Sequence, residues 1–89
     1  MRIPFTNVAS QKFSISINEI DYSFEVNYNT MYEFWTIDIS SNNFKVIGIK
    51  LVAGIDLLRA FPDAPFQLVS ENISDPLRFD LEFFELEVI

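Results

Sequence analysis

Phe13-Ser14-Ile15-Ser16-Ile17, resumed as Tyr22-Ser23-Phe24-Glu25-Val26-Asn27-Tyr28, is the pattern of a β-hairpin. Within each run every apolar residue holds one parity and every polar residue the other, the period-two pattern of a strand with one buried face. The intervening Asn18-Glu19-Ile20-Asp21 carries turn-forming residues, and setting Ile17 opposite Tyr22 makes it a four-residue hairpin loop. Register is then specified, because a one-residue slip would turn every Phe and Ile of the hairpin toward solvent.

Downstream, Glu33-Phe34-Trp35-Thr36-Ile37-Asp38-Ile39 alternates again, with Trp35, Ile37 and Ile39 on one face and Phe34, Thr36 and Asp38 on the other. After a turn at Asn42-Asn43, the run from Lys45 to Val52 makes a fourth strand, and its parity puts Ile47, Ile49 and Leu51 inside. Four successive strands with short links form an antiparallel meander. The predicted core joins Ile15, Ile17, Phe24, Val26, Trp35, Ile37, Ile47 and Ile49.

At Gly54 the period changes. Ile55, Leu58 and Phe61 are spaced by three, Asp56 is placed to cap and Pro62 to terminate, so one short helical turn is expected there. Phe66 to Ser70 reads as a short strand. The last segment places Phe79, Leu81 and Phe83 on one face, then Phe84, Leu86 and Val88 on the other; a bulge near Phe83-Phe84 would restore one continuous buried face. The expected architecture is all-β, a small antiparallel barrel or sandwich of six to seven strands with one helical turn, in a single domain over residues 1–89.

Composition narrows the function. Six Lys and Arg against thirteen Asp and Glu give a net charge of −7, the wrong sign for a phosphate backbone or an anionic membrane. No Cys and no His are present, which removes disulfides, thiolate metal sites, cysteine nucleophiles and the commonest general base. Only Gly48 and Gly54 occur, so a glycine-rich phosphate loop is excluded, and the acids show no calcium-loop spacing. Asp80, Glu82, Glu85 and Glu87 cluster in sequence, but alternation splits them between faces, where they serve to guard a strand edge. The reading is a non-enzyme without cofactor or metal. Met1 to Asn7 lacks the apolar run of a signal peptide, giving the expectation of a product kept inside the cell. Asn72-Ile73-Ser74 matches a glycosylation sequon by coincidence on that reading.

Ten Phe, three Tyr and one Trp in a chain of 89 residues leave apolar surface that so small a core cannot all enclose. Trp35 shares the parity of Ile37 and Ile39 and belongs inside. Phe34 is different, standing on the face of Thr36 and Asp38 with Tyr32 nearby, where aromatics anchor protein contacts. A covering second sheet would hide Phe34 equally well. The candidate contact residues are Tyr32, Phe34, Asp56, Leu57, Leu58 and Phe84.

Ile3-Pro4-Phe5 ahead of Phe13-Ser14-Ile15, the pair Tyr28-Asn29, the strand Trp35 to Ile39, and above all Gly48-Ile49-Lys50-Leu51-Val52-Ala53-Gly54-Ile55-Asp56-Leu57-Leu58 resemble the small plug proteins of the cyanophage-type baseplate. The resemblance runs through nearly the whole chain. It implies a virion structural protein made in the host cytoplasm and built into the centre of the tail baseplate, packing against hub or tail-tube subunits, with self-association open. A carbohydrate- or receptor-binding module at the tail tip, stacking sugars on Tyr32 and Phe34, is the alternative.

Overall fold

The computed structural model describes residues 1–79 and 81–89, with Glu82 as backbone only. Its principal element is a four-stranded antiparallel sheet in the order β1 (Ser10–Ile17), β2 (Ile20–Asn29), β3 (Phe34–Ser40), β4 (Lys45–Lys50). A two-stranded antiparallel ribbon, β5 (Leu68–Val69) with β6 (Glu87–Val88), completes the strands among the described residues. The fold is all-β. The larger sheet stays open, with β1 and β4 as its edges, and no barrel closes.

The first turn is tighter than expected. Ile17 pairs with Ile20 and Ile15 with Tyr22, so the loop is the two residues Asn18 and Glu19, both left-handed at φ 51° and 68°. Paired positive φ values match the right-handed twist of the flanking strands, which a longer loop does not require.

Alternation holds across β2 and β3: Tyr22, Phe24, Val26, Trp35, Ile37 and Ile39 are all buried. In β4 it breaks. Ile37 pairs with Ile49 and Ile39 with Val46, so Ile47 and Gly48 together face the single residue Asp38. This bulge resets the parity: Val46 is buried, Ile49 half-buried, and Ile47 is 66% exposed, correcting its expected core place.

Opposite the sheet's apolar face lie Ile3, Leu57, Leu58, Phe66, Leu68, Leu81, Phe84 and Leu86, all in the same core. Aromatic pairs tie it together, Phe13 stacking on Phe24 at 5.6 Å and Tyr22 meeting Phe66 edge-on at 5.1 Å. No helix forms after Asp56. The segment makes successive turns, closed by Arg59 N–H to Asp56 O and Phe61 N–H to Leu58 O. Asp56 nevertheless caps: its Oδ1 accepts the N–H groups of both Leu58 and Leu68, 3.0 Å each, which pins the turn to the ribbon instead of starting a helix.

The closing segment is not one bulged strand either. A 3₁₀ turn at Leu81–Phe83, with Phe84 N–H bonded to Leu81 O, absorbs the parity change before β6. Spacing by three puts Leu81 and Phe84 on the buried side and leaves Phe83 outside. The first residues flank the ribbon, Arg2 bridging Glu87 and Ile3 N–H bonding Leu86 O.

Candidate functional site

The β2–β3 hairpin tip is built by Asn29. Its side-chain Oδ1 accepts the N–H groups of Met31 and Tyr32, 3.0 Å each, while its carbonyl accepts Glu33 N–H at 2.8 Å. Glu33 takes φ 58° to close the loop. Three hydrogen bonds to one residue hold the tip in a single shape, which lowers the entropic cost of presenting side chains to a partner.

On this tip Tyr32 is 68% exposed and stacks on Phe34, ring centroids 6.1 Å apart and planes 13° from parallel. Phe34 is half-buried on the outward face, and the Lys50 ammonium lies 5.3 Å from its ring centre. The surrounding outward residues are polar: Asn29 is its cross-strand neighbour, and Thr36 pairs with Lys50. The two rings therefore stand as an apolar pair among polar neighbours.

Behind the tip, Trp35 is fully buried and its indole N–H donates to Leu77 O at 2.8 Å. This bond draws residues 77–79 to the same end of the sheet. Arg78 fixes them there, its guanidinium 5.3 Å from the Tyr28 ring centre, 5.8 Å from Trp35 and 4.7 Å from Phe79. Leu77 and Phe79 consequently point outward, Phe79 75% exposed. Met31, Tyr32, Leu77 and Phe79 are each exposed at this end of the sheet.

The other expected contact residues sit elsewhere. Leu57, Leu58 and Phe84 are core residues whose side chains are closed to a partner, a correction set by the turn pinned at Asp56 and by the 3₁₀ turn. Asp56 is occupied in capping. The exposure of Leu77, Phe79 and Phe83 is not written in the parity of the last segment, whose two apolar runs both read as buried faces; the opposed parities around Phe83-Phe84 are the one sequence signal of it.

Of the acidic cluster, Asp80 lies outside the described residues, as does the Glu82 side chain. Glu85 reaches Arg2 and Glu87 the N-terminal ammonium, 3.4 Å each, on exposed edges. Among the described residues no three His, Cys, Asp or Glu side chains gather where they could hold a metal ion, and no helix is long and apolar enough to cross a membrane. A concavity of about 820 Å³, open to solvent, lies toward the opposite end beside Asp21, Tyr22 and Phe44. Its carboxylates, from Glu19, Asp21 and Asp63, are exposed. Asn72 of the sequon is committed internally, donating to Phe83 O and accepting from Ser70 Oγ and Glu85 N–H.

The chain is thus a small all-β protein that turns a stacked aromatic pair to solvent and, among its described residues, gathers no metal-holding cluster. Residues 1–82 match the family described as Cyanophage baseplate Pam3 plug gp18, and the chain belongs to this cyanophage baseplate plug family. No match was found among curated proteins. The protein is thus a structural component of a phage tail baseplate and not an enzyme.

Proposed function

We propose that the protein packs against hub or tail-tube subunits through its aromatic end and helps to close the tail lumen until contraction. The supporting observation is the stacked Tyr32–Phe34 pair, held out on a tip that Asn29 ties together by hydrogen bonds, at the end of the sheet that also carries outward Leu77 and Phe79. Apolar rings so placed add little to the fold, and a partner that covers them gains their burial. A net charge of −7 suits a plug in a channel that carries DNA, because a wall of like charge does not retain it. The chain folds in the host cytoplasm and joins the baseplate during assembly.

Reconstitution with the other baseplate proteins of the particle tests this reading. The wild-type chain should be retained in assembled baseplates, and a folded Tyr32→Ser, Phe34→Ser double variant should be lost from them. Salt-dependent binding of DNA would contradict the role given to the charge. Glycan binding that disappears in the same variant would favour a tail-tip sugar module, since the outer face of Tyr32 offers a stacking surface.

A further inference from the structure

The two edges of the large sheet are unequal. In β4 the Gly48 N–H is turned to Asp38, the strand is broken by its bulge, and Lys45 and Lys50 stand at its ends. These are devices that block strand addition. The ribbon's flanks are also taken, by Arg2 against Glu87 and by Asp56 against Val69. Strand β1 carries only one such device, Lys12. Its eight residues contain no Pro or Gly, no bulge interrupts its register with β2, and Lys12 is its one charge.

The hairpin turn fixes which backbone groups of β1 face outward. Ile17–Ile20 closes a two-residue turn and is therefore a hydrogen-bonded pair, so Ile15–Tyr22 and Phe13–Phe24 are hydrogen-bonded pairs too. The intervening residues Lys12, Ser14 and Ser16 direct N–H and C=O to the free edge, and no backbone partner meets them among the described residues.

We propose that β1 pairs antiparallel with β1 of a second copy about a twofold axis at Ser14, joining the two sheets into one. The strand is complementary to itself in this register. Ser14 meets its counterpart, Lys12 meets Ser16 of the other copy, and the three outward residues of each strand supply about six hydrogen bonds. Lys12 never faces Lys12. Because Ser16 pairs with Asp21 in its own hairpin, each Lys12 stands one strand from the other copy's Asp21, an opposite charge within side-chain reach. On the inner face the half-buried Phe13 and Ile15 of one copy lie across from Ile15 and Phe13 of the other, an aromatic–β-branched pair on each side of the axis.

Sedimentation of the full chain, with amide hydrogen exchange, tests the pairing. The wild type should form a concentration-dependent dimer, with exchange slowing on dimerisation at Lys12, Ser14 and Ser16. Ser14→Lys places two ammonium groups on the axis at an exposed site, and should weaken the dimer at least about tenfold with the melting temperature unchanged. Asp21→Lys, which replaces the opposite charge by a like one facing Lys12 of the other copy, should also weaken it. A chain that remains monomeric at about 1 mM, or a dimer indifferent to Ser14→Lys, overturns the proposal. So does a dimer lost on Phe34→Ser but not on Ser14→Lys, which would put the contact at the aromatic end.

Discussion

Asp38 Oδ1 accepts the backbone N–H of Gly48 at 2.7 Å, and this bond fixes the bulge that turns Ile47 outward and Val46 inward. Gly48 has φ 73° with nothing within 4 Å of where a Cβ would stand. Gly48→Ala should therefore cost about 1 to 2 kcal/mol through backbone conformation alone, without a clash. Urea unfolding measures it, and a neutral substitution would mean that β4 relaxes out of the left-handed conformation.

The Asn18-Glu19 turn makes the opposite prediction. Glu19 holds φ 68° although it is not glycine, and Asn-Gly is the pair this turn prefers. Glu19→Gly should raise stability by about 0.5 to 1 kcal/mol, the relief of strain exceeding the added freedom of the unfolded chain. A loss of stability in the same urea assay would argue against the two-residue turn.

Trp35 is fully buried, meets Tyr28 edge-on at 5.2 Å and donates to Leu77 O. Trp35→Ala should cost about 3 to 5 kcal/mol, a large part of the 5 to 15 kcal/mol typical of a domain. It should also release residues 77–79, seen as faster amide exchange there than in the ribbon. A cost below about 1 kcal/mol would place the indole at the surface.

Asp56 serves two backbone N–H groups from separate segments with one oxygen. Asp56→Ala leaves both without an acceptor and should cost about 1 to 3 kcal/mol, whereas Asp56→Asn keeps an acceptor oxygen and should cost less. Equal losses in thermal unfolding would show that charge, not the acceptor, matters at this position.

The meander was legible because three of its strands have one wet and one dry face, which writes burial directly into parity. The Asn18-Glu19 turn, the Ile47 bulge and the Leu81 3₁₀ turn were not, since each depends on the conformation of a residue or two that an apolar–polar pattern does not encode. Of the candidate contact residues, Phe34 was legible because its apolar side chain breaks a polar face. Leu57, Leu58 and Phe84 carry the same signature whether they face a core or a partner, and only tertiary placement separates the two. For Leu77 and Phe79 the deciding fact is the hydrogen bond from Trp35, forty-two residues away from Leu77 in sequence.

If the aromatic end contributes to assembly and little to the isolated fold, Phe34→Ser separates the two quantities on one protein. Calorimetric titration with purified hub or tube protein of the same particle should show binding weakened by about 2 kcal/mol or more, as for an aromatic hot spot, while the thermal midpoint of the free chain stays nearly unchanged. Unaltered binding, or a variant whose monomer unfolds, would contradict the account.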